Sequence, residues 1–324
     1  MKHSTLFIGL LLVLCGSSTG TSFAQPSYPN HPLQLIITNV AGAQQDIISR
    51  AVAAELEKIL GQPVIPVNKP GAATTLGTDI LAKSKKDGYT IGYTSNAAMV
   101  YARIINPETI HYDVDKDLEP LALHVFTPLG IAVQEGSPWK TFAELVDYAK
   151  KNPGKLRVST VGIGSVPHFD LELIQSLTGA QFTHIPFKGG ESVMTAVLGG
   201  HVEVTIDMMS KIIPNVEAKK MRALLVTNKM ADYPNVPTIT ELGYKQDLFA
   251  LWFAFYTQSG IPEGARKLLV SALEKAIKIP ELKARIEKMD VVVDYRSPAQ
   301  VKKQIAEEYE QVMAVANKTG LIKK

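Results

Sequence analysis

Short apolar runs alternate with segments of helical periodicity along almost the whole chain. Residues 33–38 form an apolar run of strand length, and residues 46–60 follow with apolar side chains at helical spacing. Further predicted strands span residues 64–67, 90–94, 156–160, 184–186, 202–206 and 223–226, and further helices span residues 76–83, 167–177 and 192–198. Such alternation is typical of parallel sheets that carry helices on both faces. The pattern therefore predicts an α/β fold.

The number of predicted strands favours two sheets over one. About nine or ten strands in one open sheet would be unusually many, and chains of this length commonly divide into lobes. The strand-like segments 129–133 and 251–256 each follow a change in composition, so we interpret them as the crossings between lobes. The helix-rich residues 262–324 would return to the first lobe. We expect residues 25–127 and 251–324 to form one lobe and residues 128–250 the other.

The first 24 residues have the pattern of a cleavable secretory signal. Lys2 is followed by an apolar run at residues 6–14, and the small residues Ser22 and Ala24 precede the expected cleavage point. The run is too short to cross a bilayer, which needs about 20 apolar residues. We expect a periplasmic protein. Lipid anchoring at Cys15 is the lesser alternative, because Leu14 is larger than the residue that normally precedes a lipidated cysteine.

Composition and motifs favour a binding protein over an enzyme. The formal net charge is +3, and no basic patch is interleaved with aromatic residues, so nucleic acid is not an expected partner. After residue 24 the sequence contains no Gly-x-Ser-x-Gly nucleophile elbow, no Walker loop and no zinc-binding His-Glu-x-x-His helix. The only cysteine would leave with the signal. We therefore predict a monomeric binding protein without cofactor or metal.

Small or polar turns follow several predicted strands, where open parallel sheets bind ligands. A helix that starts in such a turn exposes unpaired N–H groups that attract a carboxylate. The candidate ligand-binding residues are Asn39, Ala41, Ala43, Gln44, Asp46, Thr94, Ser95, Asn96, Gly164, Ser165, His168, Phe187, Lys188 and Asp207. Each also has a local interpretation: helix capping for Asp46 and Ser165, core packing for His168, a solvated loop for Lys188 and a turn for Asp207.

Several ordered motifs resemble those of the extracytoplasmic solute receptors of the tripartite tricarboxylate transporter type, the Bug or TctC-like receptors. The most specific are Gly61-Gln62-Pro63-Val64, Asn68-Lys69-Pro70-Gly71-Ala72, Lys86-Asp87-Gly88-Tyr89-Thr90, His184-Ile185-Pro186-Phe187-Lys188-Gly189 and Asn235-Val236-Pro237-Thr238. The resemblance runs from about Tyr28 to Leu321. It implies a two-lobed fold like that of type II periplasmic binding proteins, in which a sheet flanked by helices forms each lobe and two crossing strands form the hinge.

The same resemblance implies that the lobes close on a small organic acid and present it to membrane components of a transporter. A sensor that signals to a partner protein is the alternative function, and an extracytoplasmic enzyme is a weaker one. The second-lobe residues Gly164, Ser165 and His168 match the family pattern, whereas Gln44 departs from the usual glycine run and Met208 replaces a small polar residue. These departures leave the identity of the ligand open, and they suit an aromatic or aliphatic acid.

Overall fold

The structure is a computed structural model that describes residues 28–187 and 190–322. The predicted signal, Cys15 and Lys188 lie outside the described residues. Within them, no helix is both long enough and apolar enough to span a membrane.

Eleven strands and eleven α-helices alternate along the described residues. The strands are β1 (Leu33–Ile37), β2 (Val64–Asn68), β3 (Thr90–Ser95), β4 (Leu118–Thr127), β5 (Leu129–Gln134), β6 (Arg157–Thr160), β7 (Thr183–Pro186), β8 (Val204–Met208), β9 (Met221–Val226), β10 (Leu251–Gln258) and β11 (Val292–Arg296). The helices are α1 (Gln44–Leu60), α2 (Thr75–Ala82), α3 (Ala102–Ile105), α4 (Val114–Asp117), α5 (Phe142–Lys151), α6 (Val166–Thr178), α7 (Gly190–Leu198), α8 (Met209–Glu217), α9 (Glu263–Ile277), α10 (Pro280–Glu287) and α11 (Pro298–Thr319).

The strands form two separate sheets, as the sequence predicted. One sheet has six strands in the order β11-β4-β10-β3-β1-β2, and the other has five in the order β7-β6-β8-β5-β9. In the first sheet β1 runs parallel to β2 and β3, while β10 runs antiparallel to β3 and β4. In the second, β6 runs parallel to β7 and β8, while β5 runs antiparallel to β8 and β9.

The expectation of parallel sheets therefore holds for β1, β2 and β3 and for β6, β7 and β8, but both sheets also contain antiparallel strands. Strands β5 and β10, which the chain enters when it crosses between the sheets, run antiparallel to their neighbours, and β11 at the edge runs antiparallel to β4. Pro128 alone separates β4 from β5, so the chain leaves the first sheet along β4 and enters the second without a helix in between. It returns through residues 227–250 into β10, which must run opposite to β4 beside it. The predicted crossing segments thus lie within β5 and β10, just beyond the crossings themselves. The proposed lobe boundaries stay a prediction.

Strand β8 ends two residues later than its apolar pattern indicated. Asp207 pairs with Gly130 and Met208 with Leu129, so the ladder between β8 and β5 continues past the apolar run. Asp207 is consequently a strand residue and not the turn residue that its position after the run suggested. Helix α1 likewise begins at Gln44, two residues before the predicted start.

Helix α11 packs against both parts of the molecule. It contacts β4 of the six-stranded sheet and α6 beside the five-stranded sheet. The Lys318 ammonium donates a hydrogen bond to Ser176 Oγ in α6 over 2.7 Å. The C-terminal helix thus spans the junction between the two sheets.

Candidate functional site

A cavity of about 540 Å³ lies where segments of both sheets meet. Residues 72–75 follow β2, residues 97–109 follow β3, and residues 161–167 follow β6; all three segments contribute to its walls, as does the end of β8. Leu129 and Leu251, the first residues of β5 and β10, also line it. The cavity therefore sits beyond the carboxyl ends of parallel strands and next to both crossings, which is the usual position of ligands in open α/β sheets.

The walls of the cavity are mainly apolar. The apolar lining residues are Ala72, Ala73, Ala97, Tyr101, Ala102, Ile105, Leu129, Val161, Ile163, Val166, Pro167, Met208 and Leu251. Polar side chains come from Thr75, Asn106, Thr109, Ser165 and Asp207. Ligand sites commonly combine apolar walls with a few placed polar groups and have volumes of about 300–1,000 Å³.

The start of α6 forms one wall. Ser165 is the N-cap: its Oγ accepts a hydrogen bond from the His168 N–H over 3.4 Å and donates one to the Gly162 carbonyl over 2.7 Å. Gly162 and Gly164 have φ of +129° and +76°, conformations that favour glycine. The Gly164, Ser165 and His168 N–H groups already have acceptors and Pro167 has no N–H, so Val166 supplies the first N–H of α6 that can donate to an anion. Ser165 therefore has the helix-capping role that is its local interpretation in the sequence, and it also lines the cavity.

His168 lies beneath this loop and not on the cavity wall. Its Nδ1 accepts a hydrogen bond from the Gly164 N–H over 3.0 Å, and its ring stacks on that of His184 with centroids 4.0 Å apart. Burial and, to a smaller extent, the neighbouring His184 together lower the pKa of His168 to about 4. Burial also lowers the pKa of His184 to about 4. The neutral ring of His168 therefore holds Gly164 in position.

Asp207 is the penultimate residue of β8 and lines the cavity with only 1% of its surface exposed. Its Oδ1 accepts a hydrogen bond from the Met208 N–H over 2.8 Å, and its Oδ2 lies 3.8 Å from the Lys211 ammonium. Of the candidate residues chosen from the sequence, the structure brings Gly164, Ser165 and Asp207 together on the cavity wall.

The loop after β1 lies outside the cavity walls. Asp46 accepts hydrogen bonds from the Gly42 N–H, Arg50 Nε and Asn68 Nδ2 over 2.8–2.9 Å. Burial raises the pKa of Asp46, but these bonds outweigh it and lower the pKa below its usual value. Gln44 Nε2 donates to the Met289 carbonyl, away from the cavity. The carboxylate thus closes the loop onto α1. The ligand-binding role of Asn39, Ala41, Ala43, Gln44 and Asp46 stays a prediction.

Polar residues at the end of β3 point into the protein interior. Thr94 Oγ1 lies 2.8 Å from Thr78 Oγ1, and Ser95 Oγ lies 3.0 Å from Thr74 Oγ1. Asn96 Nδ2 donates to Glu308 Oε1 over 2.7 Å. The structure places none of Thr94, Ser95 and Asn96 on the cavity wall; the next residue, Ala97, lines it instead.

Phe187 packs with the apolar cluster that includes Met194 and Ile212, and it does not line the cavity. Trp252 is buried, and its Nε1 donates to Glu308 Oε2 over 2.6 Å. Lys188 lies outside the described residues. Among the residues that are described, no group of three or more potential ligands could hold a metal ion.

Sequence reasoning missed the wall formed by residues 72–75. Ala72, Ala73 and Thr74 have φ of +46°, +49° and +73°. Left-handed backbone costs about 1–2 kcal/mol for each such residue, and strain of this kind concentrates at functional sites. The Pro70-Gly71 pair, which follows β2, was the sequence feature that could have indicated this wall, because such pairs mark turns. Tyr101 and Ile105 were also missed, and nothing in their local sequence marks them as lining residues.

Comparison with known proteins identifies the family. Residues 48–321 match the family model described as the tripartite tricarboxylate transporter family receptor, TctC. The chain belongs to this receptor family. The resemblance found in the sequence is thereby confirmed, and so is the two-lobed fold that it implied.

Two relatives of the receptor cover nearly its whole length. It is 34% identical to the UPF0065 protein in the gbd 5' region of Cupriavidus necator, over 91% of this chain and 90% of that protein. It is 29% identical to protein BugT of Bordetella pertussis, over 99% of this chain and 98% of that protein. The second relative supports the Bug part of the resemblance.

Two solved structures similar to the receptor contain organic acids. An R. palustris protein solved with adipate has 25% identity and a TM-score of 0.76, covering 90% of this chain and 98% of that one. MatC from Rhodopseudomonas palustris, with bound malate, has 25% identity and a TM-score of 0.71, covering 89% and 99%.

Proposed function

We propose that this receptor binds a small carboxylate in the cavity between its sheets and delivers it to the membrane components of a tripartite tricarboxylate-type transporter. The proposed location is the periplasm, reached through the predicted signal of residues 1–24. The observation that carries the proposal is the cavity of about 540 Å³, where segments from both sheets meet at the start of α6. Similar proteins solved with adipate and malate support the same ligand class.

The Val166 N–H at the start of α6 would donate to the carboxylate, and N–H groups of the other segments on the cavity wall would supply further bonds. A charge-assisted hydrogen bond contributes about 1.5–3 kcal/mol. Several such bonds reach the roughly 8 kcal/mol of micromolar affinity once ordering costs are subtracted. Because the Ser165 hydroxyl proton points to the Gly162 carbonyl, we assign the main contact to backbone N–H groups and the cap to Ser165.

Closure would follow from ligand contacts on both sides of the cavity. Ala73 and Ile105 line the cavity from segments that follow strands of the six-stranded sheet. Gly164 and Met208 line it from the side of the five-stranded sheet. A ligand that touches both sides favours the closed arrangement over an open one. Pro128 and residues 227–250 are the two connections about which residues 128–250 would move as a lobe.

A catalytic step forms no part of the proposal. The one serine on the described cavity wall, Ser165, donates its proton to a backbone carbonyl and not to a base. Nucleophilic catalysis needs a base within hydrogen-bond reach of the nucleophile.

Thermal denaturation with a panel of acids tests the proposal. The panel contains dicarboxylates, tricarboxylates, amino acids and aromatic acids, each at increasing concentration. A ligand at 100 times its dissociation constant stabilises the native state by about 2.7 kcal/mol, which raises the melting temperature measurably. X-ray scattering with and without the best ligand should show a smaller radius of gyration in its presence. A melting temperature that no acid changes would contradict the proposal.

A further inference from the structure

We infer that His184 is a positioning residue for ligand binding, because it holds the turn of residues 161–165, here called the cavity turn, from behind the cavity wall. The inference rests on the proposed function, since it takes the cavity as the ligand site. His184 lies in β7 and does not line the cavity, so its effect on a ligand would pass through the cavity turn.

The cavity turn has little in its own structure that fixes its shape. Val161, Ile163, Gly164 and Ser165 line the cavity. None of the five residues of the turn is fully buried, and Ile163 is 67% exposed. Gly162 and Gly164 have φ of +129° and +76°, and glycine adopts many backbone conformations at little cost. Burial of side chains therefore does not hold this turn, and hydrogen bonds to its surroundings become important.

Both glycine N–H groups of the cavity turn donate to side chains outside it. The Gly162 N–H donates to Thr160 Oγ1 over 3.3 Å, and the Gly164 N–H donates to His168 Nδ1 over 3.0 Å. Thr160 ends β6, and His168 lies in the first turn of α6. The strand before the cavity turn and the helix after it thus each supply one side chain that holds a glycine.

His184 contacts both of these side chains. Its Nε2 lies 2.7 Å from Thr160 Oγ1, and its ring stacks on that of His168 with centroids 4.0 Å apart. Thr160 Oγ1 is 3.4 Å from the Gly162 carbonyl oxygen, so we assign the hydroxyl proton to the nearer His184 Nε2. The ring can accept it because burial lowers the pKa of His184 to about 4, which leaves the ring neutral near pH 7. The Thr160 oxygen is then free to accept from the Gly162 N–H.

Loss of the acceptor on His184 would leave the Thr160 hydroxyl without its nearest partner. The cavity turn would then adopt its present shape for a smaller fraction of the time, and the ligand affinity falls in proportion to that fraction. A hydrogen bond between neutral groups changes an equilibrium by about fivefold. We therefore expect ligand binding to weaken by about this factor.

Two substitutions of His184 separate its acceptor from its ring. His184→Phe keeps a ring that can stack on His168 and removes the acceptor. His184→Gln removes the ring and keeps a group that can accept a hydrogen bond. Calorimetric titration of the full mature protein with adipate and with malate should show about fivefold weaker binding for His184→Phe and a change of less than about twofold for His184→Gln.

Thr160→Val tests the same hydrogen bond from its other side and should also weaken binding by about fivefold. Thr205→Val is the matched control. Thr205 is fully buried in β8 of the same sheet, and its Oγ1 has no hydrogen-bond partner among the described residues. This control should keep the affinity of the unmodified protein. The double variant Thr160→Val/His184→Phe should bind no more weakly than either single variant, because both substitutions remove one bond.

Amide hydrogen exchange follows the cavity turn without a ligand. Exchange of the segment 161–165 should be faster in His184→Phe and Thr160→Val than in Thr205→Val and the unmodified protein. A general loss of stability would instead accelerate exchange throughout β6 and α6, so the position of the faster exchange separates the two effects.

Unchanged affinity and unchanged exchange in His184→Phe would overturn this inference and leave the proposed function standing. Equal losses of affinity in Thr160→Val and Thr205→Val would also overturn it. By contrast, if none of the acids bound the unmodified protein, the proposed function would fail. Faster exchange of the segment 161–165 in His184→Phe would then still show that His184 holds the turn.

Discussion

Gly164 and Ile105 meet across the cavity: a Cβ atom added to Gly164 would lie 2.7 Å from Cγ2 of Ile105. Ile105 ends α3 and Gly164 directly precedes the N-cap of α6, so the contact joins segments that follow strands of different sheets. Gly164 also has a φ of +76°, which favours glycine. The two segments therefore leave no room for a side chain at position 164.

Gly164→Ala should weaken ligand binding by at least about tenfold, because the new methyl group would displace Ile105 in addition to straining the backbone. Calorimetric titration with the best acid measures the effect. Gly179→Ala is the matched control, since Gly179 ends the same helix with a φ of +75° and has open space where a Cβ would lie.

The control should lose stability through backbone strain and keep its affinity. Adding Ile105→Ala to Gly164→Ala should restore part of the lost affinity by opening the space. Equal affinities for Gly164→Ala and Gly179→Ala would show that the contact across the cavity does not govern binding.

Ser165→Ala should weaken ligand binding several-fold and lower the free energy of unfolding by about 1 kcal/mol, the usual effect of losing an N-cap. Binding should weaken because the Ser165 hydroxyl bonds to both Gly162 and His168 and so holds the start of α6 in position. Thr141→Ala is the control, because Thr141 caps α5 in the same way outside the cavity. Unchanged affinity of Ser165→Ala in calorimetry would remove Ser165 from the site.

The elements near the cavity were predictable where a local pattern determines them. The apolar run before α6 and the small residues after it indicated a strand, a turn and a helix start, and the structure has β6, Ser165 as N-cap and α6 there. Strand direction was not predictable in this way. The antiparallel placement of β5 and β10 depends on how the chain crosses between sheets, which hydrophobic periodicity does not encode.

Long-range partners explain the rest of the difference. Asn96 follows β3 in the manner of a ligand residue, yet it bonds to Glu308, which lies 212 positions later in α11. Asp46 occupies a helix start, yet Asn68, 22 positions later, donates a hydrogen bond to its carboxylate. Neither partner is visible in the local pattern. Asn96 and Asp46 therefore have structural partners that the local sequence does not show.

His168→Asn should reduce the loss of stability in acid. The pKa of His168 is about 4 in the folded protein, below its usual value, so the unfolded chain binds a proton first as the pH falls. Its contribution to stability is complete above about pH 6.5 and disappears as the pH falls toward 4. Asn removes this titration, and its amide oxygen can still accept a hydrogen bond from the Gly164 N–H.

Urea denaturation at pH 7.5 and pH 5 measures the change. The free energy of unfolding of the unmodified protein should fall between these pH values more than that of His168→Asn. His184 retains its own lowered pKa, so part of the loss should remain in the variant. An identical decrease in both proteins would mean that His168 does not titrate as described.

For Asp170→Asn, the gain in stability over the unmodified protein should appear at high pH, whereas that of His168→Asn appears in acid. Asp170 is fully buried in α6, where its Oδ1 accepts a hydrogen bond from the Phe249 N–H over 2.7 Å. Burial raises the pKa of Asp170 well above its usual value; the Phe249 bond lowers it in part, and the nearby Glu308 raises it. The folded protein therefore holds this proton to higher pH than the unfolded chain does. Stability from this group is present below about pH 3.8 and is lost as the pH rises through the raised pKa.

Asn preserves the acceptor for Phe249 and removes the buried charge, so Asp170→Asn should be more stable than the unmodified protein at pH 8, and the difference should shrink toward pH 5. Urea denaturation across this range measures it. Asp147→Asn makes the same replacement at an exposed position of α5 and should leave the free energy of unfolding nearly unchanged. A constant difference between Asp170→Asn and the unmodified protein at every pH would contradict titration of Asp170, because a purely structural effect of the amide does not depend on proton binding.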